Sequence, residues 1–388
     1  MTRETDRGAQ RRAAPPILQN AFRPFFLGGA IWAAIQVPLW YAEYAGYLGY
    51  VAGPAGHAHE MLYGMLAAII CGFALTAIPN WTGRAPVAGA GLAALFALWL
   101  AGRLGMIFAG HGWGMAIDLV FLPVFTLVVL REIISGRNWR NLPVAVMVVL
   151  FTFSHFAFHW PEWSGTAIRA TFAVTLLLVA LIGGRIVPSF TRNWLAGRDE
   201  EATRRVAPPM QGLDKMVLAL TGLALALWIV WPESAATGGA LGLAAIAQLI
   251  RLLRWQGVST LGEPLMWSLH AGYLWMVLAL AIMAAGIIWP EQVPAAAGLH
   301  AIGAGVIGGM TLAVMTRASL GHTGRERIAN RATTLVFVLV HAGALLRVAA
   351  AILLNEPRLL GLSAILWSGA FGLFAIAYIP VLFSARRT

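Results

Sequence analysis

Stretches of about twenty mainly apolar residues, the length that carries a helix across a lipid hydrocarbon core, recur twelve times along the chain. They run near 25–46, 58–79, 87–109, 113–133, 142–160, 166–187, 213–231, 237–255, 265–288, 294–316, 332–354 and 361–384. The runs are continuous, without the alternation of apolar and polar residues that a transmembrane β-barrel strand needs. The pattern predicts an all-α fold, a polytopic transmembrane helical bundle of about twelve helices. The breaks carry turn residues: Gly53 with Pro54, Gly83, Gly110 with Gly112, Pro161, Pro208 with Pro209, Gly262 with Pro264, and Pro290. The longest break, 188–212, holds the densest charged stretch, RDEEATRR. It joins two halves, 25–187 and 213–384, of a single transmembrane domain 25–384 that follows an N-terminal tail, 1–24. The halves show no convincing sequence repeat, so a duplicated transporter architecture is not supported.

Charge orients these segments. With the N-terminus in the cytoplasm, every Lys and Arg falls on the cytoplasmic side except Arg103, Arg169, Arg347 and Arg358. Twelve crossings then leave both termini cytoplasmic, in line with the positive-inside rule. Composition agrees: 59% of the 388 residues are hydrophobic and 11% charged, against about 45–50% and about 25% for soluble domains. A soluble enzyme, a disordered chain, a coiled coil and a nucleic-acid-binding domain are all excluded. The net charge of +11 follows from the basic cytoplasmic loops and does not call for a nucleic-acid partner. The first residues lack the apolar core of a signal peptide, so the first segment is expected to direct insertion. The single cysteine, Cys71, excludes an intramolecular disulfide and a cysteine-built metal cluster.

The exceptions to this pattern carry the chemistry. Arg103, Arg169 and Arg347 fall in or beside apolar segments, where a guanidinium costs about 2.5–3.5 kcal/mol at the helix centre. Each needs snorkelling to the interface, a carboxylate such as Asp118, or an anionic ligand held between helices. Seven of the nine histidines belong to membrane segments: His57, His59, His155, His159, His270, His300 and His341. All but His270 fall on the outer half, and His322 lies in an inner loop. Intramembrane ionisable groups mark function by default, and imidazole is a good ligand for copper and for haem iron. His155 and His159 are four apart and share a helix face. His57 and His59 flank a helix start, where His57 can cap while His59 points inward and Glu60 holds an imidazole N–H. The alternative is that each histidine only hydrogen-bonds across helices.

Five stretches, RPFFLGGAIWA (23–33), GHAHEMLYG (56–64), GGRIVPSFTRNW (183–194), HAGYLWM (270–276) and HAIGAGVIGGMTLAVMTRASLGHTGR (300–325), make the chain resemble the NnrS family. That resemblance implies a bacterial inner-membrane protein of twelve helices that contains haem and copper and is associated with denitrification and resistance to nitric oxide. It implies nitric oxide or a related small molecule, membrane lipid and an unidentified electron donor as partners. The family resembles haem-copper oxidases remotely, but this chain has no adjacent histidine pair and its one HxH is His57 with His59. That departure speaks against an oxidase-type binuclear centre. Within the resemblance, haem is expected on His59 with His300 or His341, with Arg103, Arg169 and Arg347 near its propionates. Copper is expected on His155 and His159, with His57 as a third ligand. His270 and His322 match the family motifs on the other side, without an assigned role. A transporter, and a haem or copper sensor or carrier without catalysis, remain the rival readings.

Overall fold

The computed structural model describes residues 11, 13–49, 53–353 and 356–387. Most of the N-terminal tail, with Arg3, Arg7 and Arg12, lies outside them, as does the His111 side chain. Among the described residues there is no strand, and twelve helices are long and apolar enough to cross a membrane. They are α1 Phe22–Tyr44, α2 Gly53–Thr82, α3 Gly89–Phe108, α4 Gly112–Ser135, α5 Trp139–Phe158, α6 Pro161–Leu195, α7 Gly212–Val230, α8 Ala235–Leu253, α9 Pro264–Ile288, α10 Ala295–His322, α11 Arg331–Ile352 and α12 Pro357–Phe383. Each apolar stretch read from the sequence has its helix.

Three helices outrun their apolar stretches. α2 starts at Gly53, so His57 lies within the helix rather than capping it. α6 continues to Leu195 and α10 to His322, through polar sequence read as loop. Hydropathy marks where lipid ends, whereas a helix continues while its backbone stays bonded. Polar side chains at these ends turn back on the helix: Ser189 donates to the Arg185 carbonyl and Thr191 to Val187 in α6, and Thr323, just past α10, donates to Ser319. In the charged loop a short helix, Glu200–Arg205, starts under an Asp199 cap that accepts from the Ala202 N–H. Three of the long helices contain a π-helical turn: Glu60–Leu66 in α2, Val179–Gly183 in α6 and Ala301–Ile307 in α10.

The chain forms two compact units. The first comprises the chain as far as Thr171, Arg317–Glu326 and the segment from Phe374 onward. Here Gly29 lets α1 lie on α2, since a Cβ would stand 3.0 Å from Ile69 Cγ1. Gly102 does the same between α3 and α4, where a Cβ would stand 2.9 Å from Asp118 Oδ1. Arg23, in the RPFF motif, donates to the Leu382 and Ser384 carbonyls at 2.6 and 2.7 Å and so caps the end of α12.

The second unit comprises Phe172–Thr316 and Arg327–Leu373. A buried polar network organises it. Arg251 pairs with Asp214 at 2.7 Å and donates to the Ala180 carbonyl and to Tyr273 Oη. Tyr273 donates to Gln248, which donates to Thr221. A Cβ at Gly184 would collide with the Arg251 guanidinium, which gives the paired glycines of the 183–194 motif a packing reason.

Candidate metal centre

The centre lies in the first unit and draws on five helices. α5 carries His155, and His159, the residue that caps its C-terminal end, follows four positions on. α2 supplies His59, the residue immediately before its π-helical turn, and Glu60, the first residue within it. α3 supplies Arg103, α4 supplies Asp118 and α1 supplies Trp32. The π-helical turn makes room for this convergence. Its extra residue shifts the helix face, a distortion common at functional sites. Trp99 Nε1 donates to the displaced Gly64 carbonyl at 3.0 Å. A Cβ on Gly64 would stand 2.9 Å from both Glu60 Oε2 and Trp32 Nε1 and 3.0 Å from Arg103 Nη1, so only glycine fits without moving the site.

Charge is managed within the cluster. Asp118 is 2% and Arg103 1% exposed, so neither has water to solvate it and each needs a partner. Arg103 donates to Glu60 Oε2 at 2.7 Å and forms a short ion pair with Asp118 Oδ1. Of the partners weighed for Arg103, the structure supplies carboxylates of the protein itself. Trp32 Nε1 also donates to Glu60 Oε2, at 2.8 Å. Arg103 is the one guanidinium bonded to these two carboxylates among the described residues. With neutral imidazoles the cluster therefore carries one surplus negative charge.

The donor atoms converge on one point. Ligand atoms of His59, Asp118, His155 and His159 all lie within 4.8 Å of one another. His59 Nε2 is 3.2 Å from His155 Nε2 and 3.1 Å from Asp118 Oδ2, and His155 Nε2 is 2.9 Å from the same oxygen. Atoms bound at about 2.0–2.1 Å to one tetrahedral ion stand about 3.3–3.4 Å apart, so the triangle is close to the size an ion would set. Proton bookkeeping points the same way. His59 Nδ1 lies 3.0 Å from Glu60 Oε1, and a carboxylate there requires an N–H. A neutral His59 then presents a bare Nε2 lone pair to Asp118 Oδ2, which is itself an acceptor. With both rings neutral, one proton, on His155, serves three basic atoms. A metal cation satisfies all three and neutralises the surplus charge. The donor set, imidazoles with a carboxylate, suits copper and zinc among common ions.

The other expected residues lie elsewhere. His57 lies tilted against Trp40, ring centroids 4.5 Å apart, and is not in the four-residue set. Arg169 donates to Thr166 one turn earlier. In the second unit, His300 Nδ1 lies 2.8 Å from the Ala296 carbonyl and His341 Nδ1 accepts from Trp275 Nε1 at 3.1 Å. Arg347 is half-buried on α11. His270 Nε2 bonds Thr191 at 2.9 Å, and the His322 ring lies beside Phe22. From the sequence Asp118 is only a counter-ion to Arg103, and nothing there marks Tyr63, which stacks on His155 at 4.4 Å and bonds Thr171. The signal for Asp118 was present: a carboxylate inside an apolar stretch.

Fold and site together define a multi-pass α-helical membrane protein with a buried His–Asp cluster of metal-binding geometry. The chain belongs to the NnrS family, whose model, described as NnrS protein, matches residues 16–386. No curated protein matches it.

Proposed function

We propose that this chain is a haem- and copper-binding protein of the bacterial inner membrane that acts in the nitric oxide stress response associated with denitrification. Copper is held by His59, His155, His159 and Asp118. The observation that carries this is the triangle of His59 Nε2, His155 Nε2 and Asp118 Oδ2, three ligand atoms 2.9–3.2 Å apart. Glu60 fixes the His59 ring so that Nε2 faces the metal, and Arg103 holds both carboxylates in place. Membership of the NnrS family supports haem and the nitric oxide context. His59 thereby belongs to copper, which leaves His300 and His341 for haem iron. Arg103 is bonded to two carboxylates, so Arg169 and Arg347 are left for the propionates.

Four protein donors enclose the ion, which also supports a second reading: a haem and copper sensor or carrier that does not turn over nitric oxide. Metal analysis and absorption spectra of the detergent-purified protein test the first claim. Copper near one per chain, falling to background in His155→Ala, is expected. A colourless, metal-free, folded protein overturns the proposal and favours a transporter. Consumption of nitric oxide by the reduced protein with an electron donor separates turnover from carriage.

A further inference from the structure

We propose that the charged loop after α6 and the end of α8 form a binding site for an anionic phospholipid, its phosphate held by Arg204 and Arg254 and its acyl chains laid along the exposed face of α8. The site lies within the second unit and uses none of the metal-binding residues.

The charged stretch RDEEATRR (198–205) has no role in the metal centre. In the structure its basic end opens onto a cavity of about 680 Å³, within the range of about 300–1,000 Å³ common for ligand pockets. Arg204, Arg205, Arg254 and Gln211 supply polar groups to the lining, and Ile250 and Leu253 of α8 supply apolar ones. Charge in this lining is unbalanced. Arg205 pairs with Glu201 one turn earlier. Arg254 Nη2 donates to Gln211 Oε1 at 2.6 Å, a neutral acceptor that leaves its charge uncompensated. Arg204 is exposed, and its guanidinium is bonded to no other described residue. Two guanidiniums without a carboxylate therefore line the cavity, and an anion is the ligand that complements them.

The apolar part of the lining selects a lipid over a soluble anion. Leu243, Ile246, Ile250 and Leu253 are all exposed and follow one another at intervals of three and four along α8, which makes them one stripe of a membrane-spanning helix. Its last two members are cavity residues. A phospholipid covers the stripe with hydrocarbon and places its phosphate between the arginines; a free phosphate uses only half of the site. Basic pockets at the cytoplasmic ends of membrane helices bind anionic headgroups by this combination.

The walls are fixed by the protein itself. Leu195, Ala202 and Val206 pack together with Trp194 and seat the short helix Glu200–Arg205 on the end of α6. Arg192 donates to the Val206 carbonyl, and the Ala207 N–H donates to the Arg254 carbonyl at 3.1 Å. Two of the three non-glycine residues with positive φ among the described residues stand here: Gln256, in the lining, at 56°, and Met210, beside Gln211, at 63°. Backbone held in this region clusters at binding sites. The positive-inside rule accounts for arginines at this end of the helices, but not for a preformed cavity that leaves two of them without a counter-charge.

The test is native mass spectrometry of the full-length protein in detergent, titrated with dioleoylphosphatidylglycerol or dioleoylphosphatidylcholine. The wild type is expected to bind phosphatidylglycerol in preference to phosphatidylcholine. Arg204→Gln is expected to weaken phosphatidylglycerol about fivefold, and Arg204→Gln with Arg254→Gln about thirtyfold. Arg254→Lys, which keeps the charge, is expected to stay near the wild type, and Leu253→Gln to weaken binding with every charge in place. The control is Arg140→Gln with Arg198→Gln, two exposed arginines outside the cavity, and it is expected to bind as the wild type does. Arg204 is exposed and bonded to nothing, so its single variant decides the matter if the double variant fails to fold. Equal binding of the two lipids, or an equal loss in the control, overturns the site. Displacement of the lipid by inorganic phosphate at comparable concentration, with Leu253→Gln unaffected, makes it a site for a soluble anion and overturns the lipid assignment.

Discussion

Asp118 meets two imidazoles through one oxygen and a guanidinium through the other, so it and Glu60 do different work although both are carboxylates. In the proposed copper site Asp118 would be a donor to the metal, and Glu60 would act through the His59 ring. Asp118→Asn keeps the shape but removes the charge, and copper is expected to fall to background. Glu60→Gln leaves the donor set intact and loosens the ring, for which a loss of about 10–100-fold in affinity is expected. Competition titration with a copper chelator measures both, and equal losses would deny the distinction. Sequence made part of this legible. His155 with His159 is a local relation on one helix, and Arg103 and Asp118 are polar outliers in apolar stretches. The meeting of His59 with α5 is tertiary and has no local signature. The choice of His59 over His57 depended on where α2 begins, five residues before its apolar stretch.

The π-helical turn of α2 is the device that turns this into a site, and sequence periodicity gives no sign of it, because one inserted residue leaves the apolar stretch unbroken. Gly64 is the residue that makes the turn usable. A methyl there meets Glu60 Oε2 and Trp32 Nε1 at 2.9 Å and Arg103 Nη1 at 3.0 Å, atoms bonded to one another and unable to retreat separately. Gly64→Ala is expected to cut copper occupancy several-fold while the helical circular dichroism stays unchanged, although alanine favours a helix by about 1 kcal/mol over glycine. Gly91→Ala in α3, with no atom within 4 Å of the new methyl, is the control and is expected to bind copper as the wild type does. Equal behaviour of the two variants would mean that Gly64 is not holding the site open. The extended ends of α6 and α10 were likewise beyond hydropathy, since their polar residues bond back to their own helix rather than to lipid or water.

Twelve crossings were legible because bilayer thickness fixes helix length and the chain obeys it throughout. Charge predicts the orientation. The metal centre uses the first half of α2, the second half of α3, the first half of α4 and the end of α5. For helices that alternate in direction, all of these lie toward one face. The positive-inside rule predicts that this face is the outer one, and the proposed copper would then be reached from the periplasmic side. Cysteine labelling decides it on a nearly clean background, since Cys71 is the one cysteine and is buried. In a Cys71→Ser chain, cysteines at the exposed positions Glu233 and Glu291 are expected to react with a membrane-impermeant maleimide in intact cells. One at Glu200, in the charged loop, is expected to react only after the inner membrane is opened. The opposite pattern would turn the molecule over and place the metal centre on the cytoplasmic side, where copper would have to come from the cell interior.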